Sequence, residues 1–281
     1  MRDPRCYNVI DQAWNEEVRG AKFMKLYKKL DATQNALKVW NKKVFGHCQT
    51  RIDELIQKED GTKENYRRET NLQNDLNEWL FRSEVLWKQK SREILLKGDK
   101  NSKIFHFSTI IHRRRNAIDA VKSKSGRWIT DSKEIREFFL ESFKNHFTQE
   151  TVDFSPELED LITPCILVEE NEEISKIPPP SNIRDTLFQM QDLKAPGLDG
   201  FPAIFYKEYW SIIGEVVTRA VIFFYFIFYF YFFYKSSRMP CEVNSSLIVL
   251  IPKTQSPSSF NNFRPISLCS IVYKIIPKIS V

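Results

Sequence analysis

Apolar residues recur every three or four positions along two stretches near the start of the chain, which is the spacing of one face of a helix. The first stretch covers residues 23–56 and the second covers residues 66–86. Between them, residues 60–62 read Asp-Gly-Thr, a sequence that favours a turn. The pattern predicts a long antiparallel helical hairpin. A scaffold or coiled coil without chemistry is the alternative interpretation of this stretch.

A second group of short elements is predicted after the hairpin. Gly98 ends the second helix, and the residues that follow it offer N-cap side chains for a short helix with a basic end. Loose alternation around residues 123–126 predicts a β-hairpin. Asp131, followed three residues later by Glu134, resembles a capping box and predicts the start of another helix. The apolar face of that helix is formed by Ile135, Phe138, Phe139, Phe143 and Phe147.

The last third of the chain alternates helical stripes with loops. Residues 178–180 are three prolines, which keep the chain extended and mark a boundary, and Ser181 is the predicted N-cap of the next helix. Residues 194–200 form a compact loop, and residues 213–224 form a further helical stripe. The uninterrupted apolar run 247–251 predicts a buried strand.

One aromatic run has an unusual composition. Residues 223–234 contain only phenylalanine, tyrosine and one isoleucine. With the preceding apolar residues from Ala220 they make fifteen in a row, fewer than the roughly twenty that cross a bilayer. A membrane anchor is therefore the weakest interpretation of the chain. Translation of a T-rich non-coding tract would give the same residue types, and this origin stays open.

Charge is distributed unevenly along the chain. Lys and Arg total 42 and Asp and Glu total 36, which gives a formal net charge of +6. Residues 82–115 contain ten basic and three acidic residues, whereas residues 145–175 contain nine acidic residues and no Lys or Arg. This segregation predicts a basic working surface followed by a solvated acidic connector, and it favours an anionic partner.

Cysteine and histidine usage narrows the protein class. The five cysteines are widely spaced and never form a CxxC pair, which is typical of a reduced, intracellular chain without disulfides. The four histidines do not fall at ligand spacings with the cysteines, so no metal site is expected. No secretory signal is expected either. Nucleus and cytoplasm remain equally compatible with these features.

Five segments in fixed order resemble one family. They are Lys-Val-Trp-Asn-Lys-Lys-Val-Phe-Gly at 38–46, Lys-Gly-Asp-Lys-Asn-Ser-Lys-Ile-Phe-His at 97–106, Lys-Ala-Pro-Gly-Leu-Asp-Gly at 194–200, Ile-Val-Leu-Ile-Pro-Lys at 248–253 and Phe-Arg-Pro-Ile-Ser-Leu-Cys at 263–269. The chain is similar to plant non-LTR (LINE-type) retrotransposon polyproteins, from the endonuclease-to-polymerase linker into the reverse transcriptase. It departs from them at Ser102, Ile104 and Leu198, where the family more often has Thr, Phe and Pro.

The resemblance, together with the patterns above, implies a mainly α fold with an incomplete α+β part. Residues 1–96 are expected to form the helical hairpin linker and residues 97–149 a basic helical module. Residues 150–180 are expected to form an acidic, proline-containing linker. Residues 181–281 would then be a truncated reverse transcriptase domain that consists of polymerase fingers without a palm.

The resemblance also assigns roles to particular residues. Lys253 and Arg264 would hold the incoming nucleotide triphosphate, as a point charge and a planar fork on phosphate oxygens. A solvated strand end for Lys253 and a packing or ion-pair role for Arg264 are the alternatives. Gly197 and Gly200 would allow a tight turn near the template or only connect two helices. The candidate nucleic-acid contacts, by charge alone, are Lys97, Lys100, Lys103, Arg113, Arg114 and Arg115.

Catalytic residues are expected to be absent. The complete family enzyme uses Mg²⁺ held by paired carboxylates, but no Asp follows Asp199 here and no two Asp are adjacent. The sequence therefore predicts a fragment of an RNA-directed DNA polymerase that binds no Mg²⁺, turns over no small-molecule substrate and is inactive. Its expected partners are template RNA and DNA, and a membrane is not expected. The alternative is a non-catalytic nucleic-acid-binding or helical scaffold protein.

Overall fold

A computed structural model describes residues 3–60, 66–91, 102–148, 167, 169–170, 172, 176–227 and 245–279. Over these residues the fold is mainly helical, as predicted, with two small antiparallel sheets. In chain order the elements are α1 (Arg5–Asn15), α2 (Lys22–Val44), α3 (Cys48–Asp60), α4 (Tyr66–Ser91), α5 (Ser102–Asn116), β1 (Val121–Lys122), β2 (Trp128–Ile129), α6 (Ser132–Phe147), α7 (Pro180–Phe188), α8 (Ala203–Glu208), α9 (Trp210–Ile227), β3 (Leu247–Pro252), β4 (Phe263–Leu268) and α10 (Ile271–Ile279).

Several predicted features lie outside the described residues. They include most of the acidic linker at 150–180 and residues 228–234 of the aromatic run. Gly98, Lys97 and Lys100 also lie outside them.

The first apolar stripe folds as two helices instead of the single one that was predicted. Gly46 adopts a left-handed φ of 58°, a conformation that glycine reaches without steric cost and that commonly ends helices. Its amide and that of Phe45 both donate to the Asn41 carbonyl, at 3.1 and 2.9 Å. The antiparallel hairpin is therefore formed by α3 and α4, which have a small core of their own around Ile52, Leu55 and Leu76.

The largest core joins the beginning of the chain to its last third. Helices α1 and α2 pack together with α7, α8, α9 and α10, and they bury Ile10, Leu26, Ile183, Phe205 and Ile275 almost completely. Each such side chain stabilises the fold by about 1.5–3 kcal/mol through its removal from water. Packing thus makes one unit from helices that the sequence pattern treats separately.

A second core forms where α6 meets both sheets. The Asp131 side chain caps α6 as predicted, and it accepts hydrogen bonds from the amides of Lys133 and Glu134 at 2.9 and 3.0 Å. From the buried face of α6, Phe139 packs edge-on against Phe263 of β4, with ring centroids 5.2 Å apart. Val121 and Ile129 of the predicted hairpin, now β1–β2, belong to the same core.

Two details of the last third differ from the prediction. Helix α7 begins at Pro180 with Pro179 at its N-cap, so Ser181 does not cap it. Proline at the first helical position lacks only an amide that would have no partner there, and its ring fixes a helical φ. The strand at 247–251 exists but is not buried, because within the described residues β3 pairs only with β4, and Leu247, Ile248 and Ile251 are exposed.

The first residues of the aromatic run belong to the main core. Helix α9 continues to Ile227, with Phe224 and Tyr225 buried against α2 and α10. The Tyr225 hydroxyl donates to the Ile276 carbonyl at 2.8 Å. No helix in the described part of the chain is long and apolar enough to cross a membrane.

The face of the β3–β4 sheet that points away from α6 leaves apolar side chains in water. Ile251 and Ile266 are 37% and 41% exposed there. Exposed apolar sheet surface promotes association, so the double variant Ile251→Thr and Ile266→Thr should stay monodisperse at higher concentration than the parent, with a similar Tm. Light scattering and thermal melts measure both properties.

Leu250 provides the matched control, because it contacts the second core from the opposite face of the same strand. Leu250→Thr should lower Tm and should not improve solubility. Equal behaviour of the two designs would show that the faces of this sheet are assigned incorrectly.

Candidate nucleic-acid interface

The basic end of α5 is presented to solvent. Arg113, Arg114 and Arg115 occupy the last turn of the helix and are exposed. Cations at a helix C-terminus interact favourably with the helix dipole. None of the ion pairs formed within the described residues includes these arginines. Lys103 lies in the first turn of the same helix.

The position of α5 is set by contacts near its N-terminal end. Phe105 is completely buried, and the ring of His106 stands edge-on to Trp87 of α4 with a centroid distance of 4.4 Å. The ammonium group of Lys90 lies 4.8 Å from the centre of the same Trp87 ring. These contacts give His106 a packing role, which the sequence did not reveal because Trp87 belongs to another helix. Helix α5 also touches β3.

Lys253 and Arg264 lie on the β3–β4 hairpin. Arg264 stands opposite Ile251 in the ladder, and the amide of Lys253 extends the ladder by donating to the Asn262 carbonyl at 2.8 Å. Since alternate residues of a strand share a face, this register puts Lys253 and Arg264 on the same side of the hairpin. The two residues predicted to bind a triphosphate are therefore close neighbours in the ladder.

The contacts of Lys253 and Arg264 help to distinguish anion binding from a solvated strand end, a packing role or an ion pair. The Lys253 ammonium donates to the Asn261 carbonyl at 2.7 Å, which uses one of its three N–H donors. Arg264 is exposed, and it takes part in none of the ion pairs within the described residues. Its side chain is thus accessible to an anion.

The loop 194–200 is wedged against the junction between β4 and α10. A Cβ atom on Gly197 would come under 3.0 Å from backbone atoms of Cys269 and Ser270. Gly200 has a left-handed φ of 72°. The Lys274 ammonium donates to the Ala195 carbonyl at 3.3 Å. Close packing and a tight turn therefore account for both glycines.

A buried polar pair fixes this loop to α8. Asp199 accepts a hydrogen bond from the Tyr206 hydroxyl at 2.7 Å. Burial raises the pKa of Asp199, against the opposing effects of Tyr206, of the Phe201 and Ile271 amides and of the Lys274 charge. Burial and the nearby carboxylate also raise the pKa of Tyr206 well above its usual value. The seven-residue spacing between Asp199 and Tyr206 gave no signal of this contact.

The residues that the structure describes do not fit a two-metal centre. Such a centre needs carboxylates that together hold two ions. Among the described residues there is no group of three or more His, Cys, Asp or Glu that could hold a metal ion. Asp199, the last aspartate of the sequence, accepts a hydrogen bond from the Tyr206 hydroxyl.

Comparison with known proteins connects the chain to mobile DNA. No family model matches it. It is 24% identical over 214 residues to the Transposon TX1 uncharacterized 149 kDa protein of Xenopus laevis. The match covers 72% of this chain and 16% of that protein, so the chain spans only a small part of the relative's length. The chain is therefore related to a transposon protein, at a level that supports the retrotransposon part of the resemblance.

The close approach at Gly197 can be tested by substitution. Gly197→Ala should destabilise the fold by about 2 kcal/mol or more, because the added methyl group meets fixed backbone. Gly46→Ala is the control, since the nearest atom to its new Cβ is 4.0 Å away and only the positive φ resists it, at about 1 kcal/mol. Urea unfolding measures both values. Equal losses would rule out the wedge against Cys269 and Ser270.

The buried carboxylate gives a pH-dependent stability. Because the pKa of Asp199 is raised in the fold above its usual 3.8, its contribution to stability is present at low pH and is lost as pH rises through the folded pKa. Asp199→Asn keeps an acceptor for Tyr206 but cannot ionise. The variant should therefore gain stability relative to the parent as pH rises above about 4. Urea unfolding of both proteins across pH tests this, and a difference that does not vary with pH contradicts it.

Proposed function

We propose that this chain is the linker and fingers part of a non-LTR retrotransposon reverse transcriptase, and that it contributes nucleic-acid and nucleotide contacts without catalysis. The observation that carries the proposal is the similarity to a transposon protein over 72% of the chain, in a sequence whose motifs follow the family's order. The plant type of the element is part of the proposal.

The β3–β4 hairpin would contribute to holding the nucleotide. A triphosphate is a polyanion, and fingers residues of polymerases bind it with a lysine point charge and an arginine fork. The exposed side chain of Arg264 and the shared face of Lys253 and Arg264 support this role. The exposed apolar side chains around Arg264, such as Ile251 and Ile266, suit a surface that packs against more protein.

Helix α5 would contact template RNA and DNA through phosphates. Three consecutive exposed arginines at a helix end provide a contact that is independent of sequence. In this proposal Lys97, Lys100 and Lys103 also contact phosphates, as their charge suggests.

We propose no polymerase activity for this chain. Paired carboxylates and their Mg²⁺ ions supply the chemistry of nucleotidyl transfer, and the sequence contains no two adjacent aspartates and no Asp after Asp199. The purified chain should therefore not extend a primer on an RNA template in the presence of Mg²⁺ or Mn²⁺. Template-dependent incorporation that persists after repurification would contradict this part of the proposal.

A helical scaffold is the second candidate function, and one observation favours it. The α3–α4 hairpin has its own small core, yet Leu80, Val85 and Leu86 are exposed along α4. Exposed apolar side chains of this kind suit packing against other protein. The scaffold function needs no contribution from the arginines of α5.

Salt dependence of binding separates the two candidates. Replacing Arg113, Arg114 and Arg115 with alanine should weaken binding to RNA and single-stranded DNA about equally. It should also flatten the slope of log affinity against log salt by about two units, because a protein that makes fewer phosphate contacts releases fewer counterions on binding. Fluorescence anisotropy titrations at several salt concentrations measure the slope.

The scaffold function predicts little binding near physiological salt in either protein. An unchanged slope in the triple variant would show that these arginines are solvated side chains at the end of α5 that do not contact phosphates.

A further inference from the structure

A groove of about 390 Å³ lies where hairpin β1–β2, helix α6 and the turn before β4 meet. Its volume falls within the range of small-ligand sites. No carboxylate of the described residues lines it, although the chain has 36 Asp and Glu. Its lining instead includes Lys122, Lys124, Phe138, His146, Phe260 and Asn261. The β1–β2 hairpin and α6 lie outside the five segments that carry the family resemblance.

The walls of the groove are held together by specific bonds. The amide of Lys122 donates to the Ser258 carbonyl at 2.6 Å, which joins the two hairpins directly. The Asn262 side-chain oxygen accepts from the Ser258 and Ser259 amides and from the Ser259 hydroxyl, at 3.2, 3.0 and 2.8 Å. The turn that presents Phe260 is therefore ordered before any ligand arrives, which lowers the entropic cost of binding.

The electrostatic environment of the groove favours an anion. The Lys122 and Lys124 side chains are exposed. The Lys253 ammonium donates a hydrogen bond to the carbonyl of Asn261, a lining residue, but Lys253 itself does not line the groove. On α6, Glu134 forms an ion pair with Arg127 at 2.9 Å, and the exposed Glu137 and Glu141 do not line the groove.

The aromatic residues of the groove narrow the ligand class. Phe260 is partly buried and packs edge-on against Phe143 at 4.7 Å, while its ring also lines the groove. Phe138 is likewise partly buried and lines the same groove. Lysines beside aromatic rings are the combination that binds single-stranded nucleic acid, since the charges attract phosphates and the rings contact bases. Hydroxyl and amide groups between them suit base edges.

We propose that this groove binds a nucleotide unit of single-stranded nucleic acid, with the phosphate at Lys122 and Lys124 and the base against Phe138 and Phe260. The inference rests on the proposed nucleic-acid function and names a second contact, separate from the arginines of α5. It also gives the β1–β2 hairpin and α6 a function beyond packing.

The test uses the full chain and a fluorescein-labelled oligouridylate of about ten nucleotides. Lys122→Gln with Lys124→Gln should flatten the slope of log affinity against log salt by about one unit or more. The control, Lys133→Gln with Arg136→Gln, removes two exposed charges from α6 that do not line the groove, and its slope should equal that of the parent. Phe260→Leu should weaken binding about fivefold without changing the slope.

Crosslinking provides a measurement that needs no variant. An oligonucleotide containing 4-thiouridine should crosslink to peptides that contain Phe138 or Phe260, as identified by mass spectrometry. Unlabelled oligouridylate should displace the labelled probe at far lower concentrations than inorganic phosphate or polyglutamate. Displacement by either competitor as readily as by the oligonucleotide would overturn the strand proposal in favour of a general anion site.

The failures of the two proposals are distinguishable. If the parent binds the probe but the groove and control variants have equal slopes, the groove is overturned and the proposed function stands. If the parent binds no probe at any salt concentration, both are overturned.

Discussion

The packing of Phe139 against Phe263 is the contact on which the arrangement of the candidate interface depends. These rings meet edge-on in a core that also includes Val121 and Ile129, and such pairs contribute about 0.5–1.5 kcal/mol beyond the area that they bury. Because of this contact, the hairpin that carries Lys253 and Arg264 lies beside α6. The groove between the two hairpins exists for the same reason, because α6 forms one of its walls and the turn before β4 forms another.

The rest of the last third is positioned by the main core. Helix α2 packs along α9, and the Gln34 amide donates to the Asp199 carbonyl at 3.4 Å. The loop 194–200 is thereby enclosed by α2, by α8 through Tyr206 and by the start of α10. A hairpin of two short strands is only marginally stable by itself, and here it continues directly into α10, which belongs to this core. The N-terminal helices therefore support the geometry of residues far along the sequence.

Local sequence patterns predicted where helices and strands form better than they predicted which of these elements pack together. Asp131 was identifiable as a helix cap because its bonds reach only two and three residues ahead. The lone glycine at position 46 was visible too, but the apolar period on both sides of it outweighed it. The burial of α1, the Trp87–His106 contact and the Asp199–Tyr206 pair were not predictable, because each depends on which elements meet in three dimensions. The exposure of β3 was missed for a related reason, since an apolar run does not reveal how many strands will flank it.

A double-mutant cycle on Phe139 and Phe263 tests the central claim, which is that α6 and the β3–β4 hairpin form one packed unit. The measurement compares the free energies of urea unfolding of the parent, Phe139→Leu, Phe263→Leu and the double variant. Leucine keeps both positions apolar, so the cycle isolates the contact between the rings. The structure predicts a coupling energy of about 1 kcal/mol. Strict additivity of the two substitutions would show that the rings do not touch and would contradict this arrangement of the interface.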